Sequence, residues 1–288
     1  MRATTPSAPL VSLEARHKRE LLDFLEADPV AHLHLLTLLD RDSLKEDTRG
    51  TWTAVRHARG HLRAVLYIRQ SVSGGAVLSA VPVGEPAACS ILGQRLRRRG
   101  GARMVVGDRA ACDALWLGMG RPDYRISYDQ RLYVCRQPSE GPRLPVEPAT
   151  TEDVIDLVPM HARMLEEDLQ VPRDQIDPLA QWAQLQRMVS TGRMFVCRND
   201  DALAPLRFCL DAGNASPRGT QVGGTFVPEA FRGQGVATRA MRAICDLILS
   251  DRGLPYVTLH VNEKNLPAVR CYERAGFEPA AAFRLMVC

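Results

Sequence analysis

Residues 226–241 read FVPEAFRGQGVATRAM, a run of β-formers that passes into a helical pattern through Arg232-Gly233-Gln234-Gly235. A strand followed at once by a glycine-rich turn and a helix gathers backbone N–H groups at one point. The first donors of a helix have no partner inside it, and the helix dipole adds positive potential there. Such a turn is an anion site, most naturally for phosphate. Gly233 and Gly235 carry no Cβ, so the backbone can approach a bulky diphosphate closely. Arg232 offers charge at the rim and Thr238 a hydroxyl. The Lys-Ser/Thr of a nucleotide P-loop is missing, and a dinucleotide fingerprint would need glycine where Thr238 stands.

About two dozen residues on, VTLHVNEKNLPAVRCYERAGFEP supplies a second strand and then the pattern N-x-x-A-x-x-x-Y-x-x-x-G-F. Asn265 opens that helix, where its side chain caps or hydrogen-bonds a ligand amide. Pro267 falls in the first turn, where a missing N–H does no harm. Ala268, Cys271, Tyr272 and Ala275 share one face, which turns Tyr272 inward.

The elements that must hold these groups fall into two halves. Four prolines and a glycine in residues 137–148 (QPSEGPRLPVEP) read as a linker, giving domains over 1–140 and 144–288. In the second half, a capping signature at Thr150 or Thr151 starts a helix, and a second helix spans 177–192. Three β segments follow over 194–200, 206–212 and 221–227. The helix over 235–253 carries Ala237, Met241, Ile244 and Ile248 on one stripe. A strand over 255–261, a helix over 265–276 and a strand over 283–288 complete it. The first half reads as helices within 21–39, strands over 51–57, 61–69 and 76–83, a helix over 88–99, a strand over 102–107, a helix over 109–118 and a strand over 131–136. Each half sets helices first, then a β meander, then β-α-β, an α/β (α+β) class with a central sheet.

The composition narrows the function classes. The chain has 288 residues, 45% hydrophobic and 24% charged, as a globular protein has. No run approaches the ~20 apolar residues of a membrane span. The N-terminal residues lack a sustained apolar stretch, so the cytoplasm is the expected compartment. Eight cysteines show neither CxxC nor Cys/His spacing, which reads as free, buried thiols and no metal site. His32 and His34 stand two apart and share no helix face. The densest basic run, Arg95, Arg97, Arg98 and Arg99 before Gly100, reads as a helix end whose cations offset the dipole. It lacks interleaved aromatics, so no nucleic-acid partner is expected.

The two motifs together resemble the GNAT N-acetyltransferase superfamily. Arg232-Gly233-Gln234-Gly235-Val236-Ala237 fits its Q/R-x-x-G-x-G/A turn, and Asn265, Tyr272 and Gly276-Phe277 fit its second motif. The resemblance covers about residues 144–288. The first half is similar to a degenerate second unit, as in tandem members, by element order alone and without the turn. The resemblance implies two GNAT-like mixed-sheet domains, the C-terminal one with an intact acyl-CoA site. It further implies acetyl-CoA as co-substrate and direct attack by a primary amine in a ternary complex. The backbone of Thr225, Phe226 and Val227 would pair with the pantetheine arm and acetyl carbonyl. Amides of Gly233, Gln234, Gly235, Val236, Ala237 and Thr238 would hold the pyrophosphate. Asn265 would bind the pantetheine side, and Tyr272 would protonate the departing thiolate.

His260 stands five residues before Asn265, where some relatives carry a glutamate base, and imidazole titrates near neutrality. A second familiar glutamate position is filled by Gly223, Gly224 and Thr225. Glu166, Glu167 and Asp168 form an acidic cluster that would attract a cationic amine. The acceptor, a small molecule or a protein amine, is left open. The alternative reading is a catalytically silent acyl-CoA-binding sensor. For the first half the open roles are covering the acceptor site, homodimerisation, or a scaffold that has lost its cofactor.

Overall fold

The structure is a computed structural model that describes residues 10–42, 44, 50–70, 77–201 and 203–287. The first residue of the expected strand over 76–83, the last of that over 283–288, and Cys288 lie outside the described residues. The chain begins with β1 (Leu10–Ser12), α1 (Lys18–Leu25), α2 (Leu33–Asp42), β2 (Gly50–Arg56), β3 (Leu62–Gln70) and β4 (Val77–Gly84). It continues through α3 (Pro86–Arg97), β5 (Met104–Asp108), α4 (Arg109–Gly118), β6 (Ile126–Cys135) and β7 (Glu147–Pro148). Next come α5 (Val154–Leu169), α6 (Pro178–Ser190), β8 (Met194–Arg198), β9 (Leu206–Ser216) and β10 (Gly219–Phe226). The last elements are α7 (Val236–Asp246), β11 (Val257–Asn262), α8 (Leu266–Ala275) and β12 (Glu278–Val287). Among the described residues no helix is long and apolar enough to cross a membrane.

Two compact units result, Met1–Arg131 with Ala281–Cys288, and Leu132–Ala280. The sequence reading placed the division at 137–148, and the difference has a packing reason. The proline-rich segment is strapped onto the second unit. The Ser139 N–H donates to the Ala275 carbonyl at 3.1 Å, Arg242 Nε donates to Ser139 Oγ at 2.9 Å, and Leu144 is buried in that unit's core. The last strand, meanwhile, extends the sheet of the first unit: residues 283–287 of β12 pair antiparallel with β5, Phe283 opposite Asp108 and Val287 opposite Met104.

In the first unit β1, β2, β3 and β4 form an antiparallel meander, and β5 joins β4 in parallel. One face packs on α3 and α4 through Cys89, Leu92, Leu96, Cys112 and Leu115. The other packs on α1 and α2 through Leu21, Leu25, Leu36 and Leu39. The continuous apolar run Ala64–Ile68 of β3 makes this two-sided burial possible, because Ala64, Leu66 and Ile68 enter one core and Val65 and Tyr67 the other.

The second unit repeats the order. Its strands lie β11-β10-β9-β8-β7, antiparallel except for the β10–β11 pair. Val236, Met241, Ile244, Cys245 and Ile248 of the α7 stripe and Tyr272 and Ala275 of α8 bury against Phe208, Leu210, Val222, Leu259 and Val261. The opposite face carries α5 and α6 through Val154, Leu157, Leu185 and Val189 against Met194, Cys209 and Phe226. The expected helix over 235–253 ends its α-helical part at Asp246 and widens into a π turn over Leu247–Asp251. At the start of α5 the Thr150 N–H and hydroxyl both donate to Asp153 Oδ2, at 2.6 and 3.0 Å, and Arg198 pairs with the same buried carboxylate. Seven described cysteines are free thiols, six of them buried.

Two helix-interior glycines let α3 and α4 touch. A Cβ at Gly93 would lie 2.1 Å from the Leu115 carbonyl oxygen, and one at Gly118 would lie 2.0 Å from that of Ser90. In an open helix Gly→Ala gains up to about 1 kcal/mol. Here overpacking wins, because both obstructing atoms are backbone. Gly93→Ala and Gly118→Ala should each lower stability by about 1–3 kcal/mol in urea denaturation; a neutral or stabilising result would contradict this packing.

Candidate active site

The parallel ladder between β10 and β11 is short. It pairs Thr220 with Val257 and Gln221 with Thr258, and no further pair follows. The cause lies on the other edge of β10, where register against β9 shifts between Gln221 and Gly223 and again between Gly223 and Phe226. Gly224 sits in that bulge at φ 57°, a left-handed conformation that suits glycine. The bulge turns β10 away from β11 over residues 222–226, so backbone polar groups that a ladder would consume face the gap instead.

Beyond β10 the chain makes one 3₁₀ turn, Glu229–Phe231, and then the glycine turn. Gly233 and Gly235 have φ of 74° and 71°, and no atom lies within 4 Å of where a Cβ would stand on either. Gly235 is the N-cap of α7 without any side-chain cap, so the N–H groups of Val236, Ala237 and Thr238 have no partner within the helix. The turn is therefore an open anion cradle at a positive dipole end, and these residues fit a pyrophosphate.

Arg232 is committed elsewhere. Its Nε donates to the Val227 carbonyl at 2.9 Å, an Nη donates to Glu167 Oε2 at 2.8 Å, and the guanidinium lies 5.4 Å from the Phe226 ring centre. It thus ties the end of β10 to the last turn of α5. Arg239, one turn into α7, donates to the carbonyls of Gln234 and Gly235 at 3.2 and 3.4 Å and fixes the turn from below. Gln234 Nε2 reaches back to the Ala230 carbonyl at 2.9 Å.

Tyr272 is buried on α8 with its ring edge-on to Phe277 at 6.0 Å, and its hydroxyl shares a hydrogen bond with Thr225 in the bulge. Burial raises its pKa well above the ordinary phenol value, with the charge of Cys271 and of Asp168 acting in the same direction. The phenol therefore stays protonated, a hydrogen-bond donor at the mouth of the gap. Asn265 caps α8, its Oδ1 accepting from the Ala268 N–H at 3.2 Å. His260 is half-buried on β11, between Leu259 and Val261, whose side chains enter the core against α7 and α8. Strand alternation sends His260 to the opposite face, the one that carries α5 and α6.

On that face lies a cavity of about 180 Å³, lined from five elements. Leu157, His161 and Met164 come from α5, Leu185 and Met188 from α6, and Met194, Cys209, Asp211 and Gly224 from the three strands. Asp211 is neutralised by Arg193 through hydrogen bonds of 3.1 and 2.7 Å. His161 donates from Nδ1 to Gln181 Oε1 at 2.5 Å, and burial lowers its pKa, so the ring is neutral. The sequence reading missed this cavity; its one local signal was the recurrence of methionine at 160, 164, 188 and 194. The acidic cluster resolves into different roles. Glu166 takes Arg163 and Arg173, Glu167 takes Arg163 and Arg232, and Asp168 has no ion pair or hydrogen bond among the described residues.

The acetyltransferase (GNAT) family profile matches residues 160–277. A kanamycin resistance protein of Rhizobium radiobacter is 39% identical over 46 residues, 16% of this chain and 43% of that protein. An aminoglycoside N(6')-acetyltransferase type 1 of Klebsiella pneumoniae is 39% identical over 46 residues, 16% of this chain and 23% of that protein. The chain thus aligns with less than half the length of these curated relatives. Among solved structures, a GCN5-related N-acetyltransferase from Sphaerobacter thermophilus superposes with a TM-score of 0.64 at 17% identity, over 98% of this chain and 96% of that one. A tandem GNAT protein from the clavulanic acid biosynthesis pathway gives 0.59 at 14% identity, over 98% of each. At such identities the likeness is one of fold, and it runs through both units. The matched residues 160–277 hold the bulged strand, the glycine turn, Asn265 and Tyr272, so the likeness to the acetyltransferase (GNAT) family falls on the candidate site.

Proposed function

We propose that this protein transfers an acetyl group from acetyl-CoA to a primary amine by direct attack in a ternary complex, using the second unit alone. One observation carries the reading. The β10–β11 ladder stops just where the open glycine turn, the Thr225–Tyr272 pair and the α5–α6 cavity converge. Acetyl-CoA would supply the activated acyl thioester. The amides of residues 233–238 would hold its pyrophosphate, and the freed backbone of Thr225, Phe226 and Val227 would line the pantetheine arm. The Val227 N–H would polarise the acetyl carbonyl as charge develops on its oxygen. Asn265, as the cap of α8, would border the pantetheine. The relative named as an aminoglycoside N(6')-acetyltransferase supports a small-molecule amine as acceptor.

Tyr272 would donate a hydrogen bond to the leaving sulfur. A thiolate, whose thiol has a pKa near ~8.5, is a weaker base than a phenolate, whose phenol has one near ~10, and burial widens that gap. The phenol thus stabilises departing charge by donation and passes its proton on only as the amine yields one of its own. His260, half-buried on the α5–α6 face of β11, would border the acceptor side of the gap.

The first unit would bind no acyl-CoA. There β4 ends at Gly84 and the helix follows directly, with Glu85 as N-cap and Pro86, which has no N–H, at its first position. Glu85, held by Arg63 at 2.6 and 2.8 Å, sets a carboxylate where an anion would have to sit.

Saturating acetyl-CoA or CoA, at ~100 times its Kd, should add about 2.7 kcal/mol to the folded state, a rise of roughly 5–10 °C in a thermal melt. NAD should give none, and titration should saturate at one CoA per chain. A flat melt would contradict the reading, and two CoA per chain would contradict the assignment of the first unit.

Gly235→Ala forces a left-handed alanine and should weaken CoA binding by on the order of 10-fold, about 1–2 kcal/mol, in isothermal titration. Tyr272→Phe should keep CoA binding and lower kcat by about 10²-fold. Unchanged turnover in Tyr272→Phe would remove the phenol from the mechanism. Binding without turnover in the native chain, on any amine, would favour the acyl-CoA sensor.

A further inference from the structure

We infer that the acceptor is a primary amine bearing a single apolar arm, with the arm in the α5–α6 cavity and the ammonium on the carboxylate of Asp168. This rests on the acyl-transfer reading and names the substrate class for it. The geometry begins with helix spacing. Leu157, His161 and Met164 line the cavity from α5 at intervals of four and three residues, and four residues further along the same stripe stands Asp168. Asp168 is exposed on the same stripe beyond the lining, at the end of α5, where Glu167 and Arg232 tie the helix to Val227 after β10. The charge of Arg232 is felt at Asp168, and the charge of Asp168 is felt at Tyr272. An amine with its arm among the methionines would thus direct its ammonium along the stripe toward the Asp168 carboxylate.

The interior has no charge to offer a second cation. Asp211 is spent on Arg193, and His161 is neutral and bound to Gln181. The remaining lining is Leu, Met, Cys, Gly224 and the uncharged amide of Gln184, whose Nε2 donates to Met188 Sδ at 3.9 Å. Flexible thioethers adapt to aliphatic or aromatic groups of differing shape, and desolvating a second ammonium there would go uncompensated. At ~30 Å³ per water-sized volume, about 180 Å³ holds an arm of roughly six non-hydrogen atoms. A polycation such as an aminoglycoside finds one carboxylate partner and a wall of apolar atoms.

The chemistry balances with these groups. The ammonium gives one proton to Asp168 and on to solvent, and the freed amine nitrogen forms a bond to the acetyl carbon. The carbon–sulfur bond breaks, the sulfur keeps its electron pair, and the second proton lost by the nitrogen reaches that sulfur through the Tyr272 hydroxyl. Crowding by the surrounding protein and the charge of Glu167 raise the Asp168 pKa, opposed by Arg232, which suits a group that must take up a proton. Tyr272 faces it from α8, Arg232 from the turn and Glu167 from its own helix.

The test is steady-state acetylation of ethylamine, hexylamine, phenethylamine, spermidine and kanamycin by the full chain, with the acetyl-CoA melt measured in parallel. Hexylamine should exceed ethylamine in kcat/KM by about 10²-fold, since each buried CH₂ contributes roughly fourfold, and should exceed both polycations. Asp168→Asn should lower kcat/KM for hexylamine by about 10²-fold, with partial rescue in Asp168→Glu, while the acetyl-CoA melt shift stays as in the native chain. A carboxyl with a raised folded pKa weakens the fold as pH rises past the ordinary carboxylate range. The melting temperature of Asp168→Asn at pH 7 should therefore be unchanged or higher, which separates lost function from lost folding. Kanamycin or spermidine as the better acceptor, no turnover of any apolar-armed amine, or full activity in Asp168→Asn would each overturn the inference. Absence of the acetyl-CoA shift in the native chain would overturn acyl transfer itself, and the inference with it.

Discussion

The site depends on a ladder that stops early. Two parallel neighbours, β10 and β11, pair at Thr220 and Gln221 and then part, because a bulge centred on Gly223 and Gly224 turns β10 aside. Ladder hydrogen bonds left unmade inside a protein are expensive, so such a gap persists only where the surroundings hold it open. Here the hold is explicit. The Thr225–Tyr272 hydrogen bond clamps one lip to α8, and Arg232 clamps the strand end to Glu167 on α5. A ligand able to pair with the freed backbone would complete a sheet that the chain itself leaves incomplete.

The same arrangement sorts the charges. Arginines around the turn serve the protein's own carbonyls and carboxylates, leaving the cradle to backbone N–H groups and the α7 dipole. Neutral donors of this kind hold a phosphate without desolvating long cationic side chains. The carboxylates of α5 are divided in a comparable way: Glu166 and Glu167 are paired with arginines, and Asp168 keeps its charge for other use. The first unit shares the element order without these features. Its corresponding strand runs into α3 at Glu85-Pro86, and Gly93 and Gly118 bring α3 and α4 together at backbone distance.

Much of this was legible in the sequence wherever the determinant is local. The open glycine turn of RGQGVA, the cap at Asn265, the inward face of Tyr272 and the element order of both halves follow from residue types and periodicity within short windows. Direction of long side chains did not follow: Arg232 reads as a rim cation, whereas its three-carbon stem lets the guanidinium fold back to Val227 and Glu167. The cavity was out of reach for another reason. Its lining converges from residues as distant as Leu157 and Gly224, and no window of sequence contains the packing of α5 and α6 across three strands. The unit boundary was hidden likewise, because prolines marked a strap that binds α7 and α8, and because β12 pairs with β5, far away in the chain.

Amide hydrogen exchange with and without CoA tests the central claim most directly, because it reads each backbone N–H in place. The account predicts slowed exchange at residues 225–227 and 233–238 and around Asn265, with α3 and its N-terminal corner at Glu85 unchanged. Unaltered exchange at the glycine turn under saturating CoA, or protection centred on the start of α3, would contradict it.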